Sequence, residues 1–451
     1  MKTIFITINN SFQARDLLRS DFFILFRKNR DWRIVLLVPL EKFDHYLEVY
    51  GGDNVKVEIC PTIKDKLNKF ETLSYLLGHK SIATNTIKIL HDRLKRRPLI
   101  YLVSSICWYL GHYRPWREFI RWLFARATNG RHFSSLFDKY KPDLVYAVNL
   151  LNFDEFRLLT EARKRGVKTC ALILSWDNLN SKLFIYAKAH SYVVPGKLVK
   201  QELIQLGDIP SNCIEVVGLA KYDGYFQQTG VIGREEFMKK IGLPPENKLI
   251  VYCLSTRNTS PVYEDIIADL CSIKREEQLS SPSSWLIRGY PKYSLPAELI
   301  AKINDSGIVY NHPSDFSSDT RDYEIRDDDD VFLHNLFYHG DVFITNYSTV
   351  VVEASIYDKP VININYDGRQ EKPYPWSVKR IRDYTHYRQV ISAKAEDPAN
   401  SKEDLVVQIN KCLNQPELRR QGRARVVSEQ CAFTDGQSGR RMYEYLISLI
   451  P

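Results

Sequence analysis

Short runs of aliphatic and β-branched residues alternate along this chain with longer amphipathic stretches, and no other feature narrows its fold as much. Thr3–Ile8, Arg33–Val38 and Val55–Cys60 read as buried strands, with a helix expected over Ala14–Lys28. After a basic stretch the pattern resumes, with strands at Asp143–Val148, Lys168–Leu174 and Ser191–Val194 and a helix around Glu155–Arg165. A second series places strands at Lys248–Leu254, Trp285–Arg288, Asp341–Thr345 and Pro360–Ile364, and helices at Glu264–Glu276, Val331–Phe337 and Val350–Tyr357. Apolar strands separated by helices predict parallel sheets covered on both faces, because the chain needs a crossover to begin each new parallel strand. The expected class is therefore α/β with two doubly wound domains. These are residues 1–235 with a basic helical insertion at about 64–131, and residues 236–425; a closing helix at 426–451 is expected to pack back on the first domain. Ser281–Ser284 and Asp327–Asp330 read as loops.

With 451 residues, 44% hydrophobic and 26% charged, the chain has the composition of a folded protein of two or three domains and not of a disordered one. Its eight cysteines form no C-x-x-C pair and have no His at zinc-ligand spacing, so a reducing, cytoplasmic location is expected and no metal site. The first residues, MKTIFITINN, lack the features of a secretory leader. Leu99–Leu110 is the longest apolar stretch and falls well short of the ~20 residues that span a bilayer. The net charge of +9 is concentrated: Lys64 to Arg131 holds fourteen Lys and Arg against four acids. Interleaved Trp108, Tyr109, Trp116, Trp122 and Phe124 give this segment the composition of an interfacial helix on an anionic membrane, the alternative being a solvated helical face. No nucleic-acid-binding pattern accompanies the charge, so no nucleic acid partner is expected.

In open α/β sheets ligands bind beyond the carboxyl ends of the strands, so the candidates are the residues that follow each strand. In ITNYSTVVVEASIYDKPVI, Ser348 and Thr349 stand where a helix begins, so their hydroxyls and the first free N–H groups suit a phosphate. Glu353, about one turn on, suits a ribose diol; the alternative is a capping Ser and a surface Glu. In LILSWDNLNSK, Trp176, Asp177, Asn178 and Lys182 follow a strand. Asp177 is either a general base for an acceptor hydroxyl or an Asx-turn residue, with Asp154 and Glu155 as rival bases, and Lys182 meets either phosphate or solvent. Asn9, Asn10 and Ser11 follow the first strand and read either as acceptor or donor contacts or as a turn. His312, His334 and His339 share no ligand spacing and read as structural.

The segment D-x-x-I-T-N-Y-S-T-x-x-x-E-A-x-x-x-x-K-P resembles the donor-site segment of GT-B glycosyltransferases of surface-polysaccharide synthesis. It is especially similar to the T-D-Y-S-S pattern of the CDP-glycerol glycerophosphotransferase family of teichoic acid polymerases. The UDP-GlcNAc 2-epimerase-like group carries a Glu at the place of Glu353, implying a grip on the nucleotide ribose. Asn346 stands where the family usually has Asp, and Glu353 where the teichoic acid enzymes usually have Asp. KLIVYCLSTRNTSP is similar to the opening strand and loop of the donor domain, implying roles for Arg257 and Asn258. SSWLIRGYPKYS resembles the strand ending in R-x-H-P, with Tyr290 in place of the His and Arg288 retained, either near the diphosphate or in a surface or structural salt bridge. SWDNLNSK resembles an S-W-D-N-x-x-S-K segment of polysaccharide-associated GT-B-like proteins. The resemblance implies two Rossmann-like domains facing a cleft, and metal-independent glycosyl transfer from a nucleotide-sugar donor to a glycan or lipid-linked glycan, with no cofactor. It also admits a nucleotide-sugar epimerase, a CDP-glycerol-type glycerophosphotransferase and a non-catalytic assembly subunit.

Overall fold

The computed structural model describes residues 1–61, 68–257, 259, 261–316 and 323–450. The chain forms two compact units, Met1–Asp223 together with Glu429–Pro451, and Gly224–Ser428. In the first, β1 (Lys2–Thr7), β2 (Trp32–Val38), β3 (Val55–Ile59), β4 (Leu144–Ala147), β5 (Lys168–Leu172), β6 (Ser191–Val194) and β7 (Ile214–Val216) lie in the order β3-β2-β1-β4-β5-β6-β7. All their pairings are parallel. In the second, β8 (Lys248–Cys253), β9 (Ser283–Arg288), β10 (Ile308–Asn311), β13 (Val342–Thr345), β14 (Val361–Ile364) and β15 (Asp397–Ala399) lie in the order β10-β9-β8-β13-β14-β15, again parallel. A small antiparallel pair, β11 (Ser314–Phe316) and β12 (Tyr323–Ile325), follows β10. In each sheet the winding reverses beside its first strand. A crevice therefore opens beyond the ends of β1 and β4, and another beyond β8 and β13, and each is the place where such sheets receive ligands.

Burial on both faces explains the unbroken apolar runs. In β1, Ile4 and Ile6 enter a layer with Phe22, Phe26 and Tyr146, while Phe5 enters the opposite layer with Val35, Leu37 and Phe137. Met442 and Leu446 of the last helix, Ser438–Ser448, complete the first layer. That helix is fixed at its start by the Asp223 carboxylate, which accepts from the N–H groups of Ser438 and Gly439 at 2.9 and 2.7 Å. The closing segment is three helices, Lys402–Asn414, Arg420–Gln430 and Ser438–Ser448.

The described part of the basic segment is helical: Lys69–Lys80, Asn85–Asp92, Pro98–Leu110 and Arg114–Ala127. Asn68 and Glu71 form a reciprocal cap on the first helix, and Thr84 caps the second. Buried ion pairs tie the segment down. Arg157 of the helix Phe153–Lys164 donates to Glu71 at 2.8 Å, and Arg117 and Arg121 donate to Asp208 at 2.6 and 2.7 Å. Two of the fourteen basic residues are thus internal structure. Phe124 is core, and the indoles of Trp108 and Trp116 donate inward to the Thr84 carbonyl and Ser81 Oγ.

Three local expectations need correction. The helix expected over Ala14–Lys28 is broken: Ala14–Leu18 is a π-helical turn, Ser20 Oγ donates back to the Leu17 carbonyl at 2.7 Å, and a new helix runs over Asp21–Lys28. Ser283 and Ser284 belong to β9, since pairing with Lys248 and Leu249 extends the strand into polar residues. Asp327–Asp330 is not a solvated loop throughout. Asp329 begins the helix Asp329–His339, is fully buried, and forms an ion pair with Arg288.

Candidate functional site

In the second unit the crevice lies beyond β8 and β13. β8 leads into Leu254-Ser255-Thr256-Arg257, where the hydroxyls of Ser255 and Thr256 meet Thr259 Oγ1 at 2.6 and 2.9 Å. The Arg257 guanidinium is exposed and lies 4.8 Å over the ring of Tyr293, whose hydroxyl donates to the Ser255 carbonyl at 2.7 Å. Asn258 lies outside the described residues.

β13 leads into the turn Asn346-Tyr347-Ser348-Thr349, and the helix Val350–Ile356 follows. This turn is held from behind. Tyr347 has φ 51°, a left-handed conformation rare for an aromatic residue. Its N–H donates to Asn363 Oδ1 at 2.6 Å and its hydroxyl to Asn365 Oδ1 at 2.6 Å. Tyr252 donates to Asn346 Oδ1 at 2.8 Å. Asn363 also donates to Glu396, as does the Tyr387 hydroxyl at 2.5 Å. Burial pushes the Glu396 carboxyl up to about 7, against the pull of the Tyr387 hydrogen bond and the Arg382 charge. In front of this network Ser348 and Thr349 stay partly exposed, as does Glu353 in the first turn of the helix. The sequence signal for the turn was its strand-to-helix junction; the bracing residues carried none, because Asn363 is an ordinary strand residue, Tyr387 an ordinary helix residue and Glu396 a residue of the bend before β15.

Arg288, at the end of β9, is buried, donates to Asn311 and Asp329, and lies 5.1 Å over the ring of Phe332. Both Arg288 and Glu353 act on the Cys253 thiol at the end of β8, which burial pushes up to about 12, with Arg288 lowering and Glu353 raising it. Cys253 and Arg288 are register partners at the ends of β8 and β9. Tyr290 stands beside His312, whose ring meets the carbonyls of Tyr290 and Tyr293 at 3.1 and 3.0 Å. His334 and His339 are held by the carbonyls of Thr229 and Ile232, both at 2.8 Å.

In the first unit the crevice beyond β1 and β4 holds a polar cluster. Asn10 caps the short helix Ser11–Gln13. Asn9 donates to Glu155 Oε1 at 2.5 Å and accepts from Asn152 Nδ2 at 3.0 Å, and the N–H of Asn149 donates to Glu155 Oε2 at 2.8 Å. Burial pushes Glu155 up to about 7, against these donors and Thr7. Asp154 is bound by Arg157 at 2.7 Å. Beyond β5, Trp176 is buried, and Asn178–Lys182 forms a π-helical turn closed by the Leu183 N–H on the Asn178 carbonyl at 2.8 Å. Asn178 Oδ1 accepts from the Ser175 N–H at 3.2 Å. The Asp177 carboxylate faces Lys182 as an ion pair, with Lys182 about half exposed. The turn is supported by the helical insertion, since Thr84 Oγ1 donates to the Asn180 carbonyl at 2.6 Å. Among the described residues, no group of three or more His, Cys, Asp or Glu is placed to hold a metal ion.

Comparison with known proteins bears on this arrangement. No curated protein sequence matches the chain. Among solved structures it is similar to the UDP-GlcNAc 2-epimerase of Neisseria meningitidis, bound to UDP-GlcNAc, with a TM-score of 0.58 and 11% identity over 99% of this chain and 100% of that one. It is similar to a glycosyltransferase of Rickettsia africae, with a TM-score of 0.52 and 12% identity over 99% and 98% of the two chains. It also resembles the wall teichoic acid polymerase TagF, with a TM-score of 0.51 and 9% identity over 100% and 89%. At these identities the likeness concerns the fold, which is GT-B-like. Residues 209–448, more than half of the sequence, match the family described as CDP-Glycerol:Poly(glycerophosphate) glycerophosphotransferase, and the chain belongs to that family of transferases.

Proposed function

We propose that the protein transfers a glycosyl unit from a nucleotide-sugar donor to a glycan or lipid-linked glycan acceptor in the synthesis of a surface polymer. The observation that carries this reading is the braced turn after β13, which presents Ser348, Thr349 and Glu353 at the winding reversal of a sheet in a transferase-family chain. Glu353 takes the ribose hydroxyls. The hydroxyls of Ser348 and Thr349, with Arg257 and Asn258, take the diphosphate, whose charge grows as the glycosidic bond to it breaks. Buried Arg288 adds a fixed positive charge behind the site, so its part is electrostatic and not that of an exposed phosphate ligand. Asp177 accepts the proton of the attacking hydroxyl, with Lys182 paired to its carboxylate and Trp176, Asn178 and Asn10 contacting the acceptor. The nucleotide-activated donor is a substrate, and the scheme calls for no cofactor or metal.

The family match favours a second reading, glycerophosphoryl transfer from CDP-glycerol. Tyr290, in place of the His of the R-x-H-P pattern, favours the first. Melting the protein with UDP-, GDP-, CMP- and dTDP-sugars and with CDP-glycerol separates them, since a donor at a hundredfold its Kd stabilises by ~2.7 kcal/mol. The expected result is stabilisation by one nucleotide-sugar class and turnover that falls by ~10²–10⁴ in Asp177→Asn. Stabilisation by CDP-glycerol alone would select the second reading.

A further inference from the structure

The helix Pro98–Leu110 is built inside out. Its large apolar side chains Leu99 (78% exposed), Leu102 (55%), Val103 (50%), Ile106 (50%) and Tyr109 (60%) form one outward stripe at helical spacing. The opposite face, which packs inward, carries Ser104 and Cys107, both buried, with Ser104 bonded by the Lys80 ammonium. A helix on the surface of a water-soluble unit normally turns its aliphatic stripe toward the core; here Ser104, Cys107 and the half-buried Trp108 take that place and the aliphatic stripe faces out. Arg96 and Arg97 stand exposed immediately before the helix, beside Lys95, which pairs with Asp92 at 3.1 Å; Arg114, four residues past the helix, is exposed and lies 3.9 Å from Glu118. No carboxylate occurs between Asp92 and Glu118.

We infer that this helix lies in the plane of an anionic lipid surface, with the Leu99–Tyr109 stripe immersed and the flanking cations on the headgroups. Charge selects a lipid occupant: the apolar stripe itself holds no acid and begins beside the exposed cations Arg96 and Arg97, which suits a surface of uniform negative charge. Thirteen residues rise ~20 Å, short of the ~30 Å hydrocarbon core, and among the described residues no helix is long and apolar enough to cross a membrane. Immersion in the plane is the geometry left to it, and Lys and Arg at the helix ends reach back to the headgroups on their long stems. Trp122, with Arg126 over its ring at 4.5 Å, and Phe119 stacked against it are exposed on the next helix and have the amphipathic character of an interfacial contact.

The test is co-sedimentation of the full chain with phosphatidylglycerol and phosphatidylcholine vesicles. Binding is expected to phosphatidylglycerol, weakening as salt rises. Leu102→Glu/Ile106→Glu should lower partitioning more than tenfold; these side chains are exposed, so the melting temperature should not move, and Leu102→Ala/Ile106→Ala provides a milder second variant with a smaller loss. Arg96→Glu/Arg97→Glu should cost about fivefold for each cation removed and flatten the salt dependence. Equal, negligible pelleting of the wild type with both lipids at low salt would overturn the inference. So would a concentration-dependent dimer in sedimentation velocity that the Leu102/Ile106 variant abolishes without any vesicle binding, which would give the stripe to a second copy of the chain. Donor binding measured without vesicles tests the transferase reading separately, so either can fail alone.

Discussion

Glu353 and Glu396 are both carboxylates of the second unit, and their surroundings set them to different tasks. Glu353 is partly exposed in the first turn of its helix, so Glu353→Ala should leave the melting temperature of the free protein close to wild type. Loss of a charged hydrogen bond of ~1.5–3 kcal/mol should weaken donor binding ten- to a hundredfold, read by calorimetry; unchanged affinity in a folded variant would remove Glu353 from the site. Glu396 is buried behind the Tyr347 turn, and its carboxyl is raised from the ordinary 4.5 to about 7 by burial. Below pH ~4.5 the group is protonated in folded and unfolded chains alike. Between ~4.5 and ~7 the folded chain keeps a proton that the unfolded one releases, so stability falls as pH rises, by at most on the order of 3 kcal/mol. Glu396→Gln keeps an oxygen for Asn363 and Tyr387 and cannot ionise. Its stability should match wild type at pH 4 and exceed it at pH 8; equal pH profiles in urea titrations would show that Glu396 does not titrate in this range.

At the scale of elements, the helical insertion is fastened to the first unit by a few buried charges. Glu71 and Arg157 are 4–5% exposed at their side chains, and burial alone would raise Glu71. The Arg157 hydrogen bond, with those from Asn68 and Thr128, outweighs burial and holds its carboxyl below the usual range. Arg157→Met leaves Glu71 and Asp154 without their shared cation, a loss of about 3–5 kcal/mol, and should lower the melting temperature at neutral pH. The deficit should shrink as pH falls through the carboxylate range, because protonation removes the unpaired charges. A neutral-pH melt indistinguishable from wild type would mean that the insertion is held by apolar packing alone.

For the whole molecule, the two units differ in how the chain builds them. Gly224–Ser428 is one continuous segment with its own core around Ile250, Trp285, Ile344 and Ile364, and expressed alone it should melt cooperatively. The first unit is discontinuous and takes Met442 and Leu446 from the far end of the chain. A chain stopped at Ser428 should therefore lose the near-ultraviolet signature of the first unit while keeping that of the second; retention of both would mean that the last helix is dispensable. The alternation of strand and helix was legible from the sequence because it rests on local periodicity, and so was the Asn346–Glu353 turn, whose hydroxyls and acid stand at a strand-to-helix junction. The short strands β7, β10 and β15 were not, since three or four residues carry too little pattern. Tertiary structure alone decided where the charges went. Asp329 looked like one of four solvated acids until a strand 41 residues away supplied Arg288, and nothing in the sequence placed Asp177 beside Lys182 or sealed its rival Glu155 under Asn9 and Asn149. The outward stripe of Pro98–Leu110 belongs with these: periodicity marks two faces on a helix, but which face meets the protein depends on the surface against which the rest of the chain seats it.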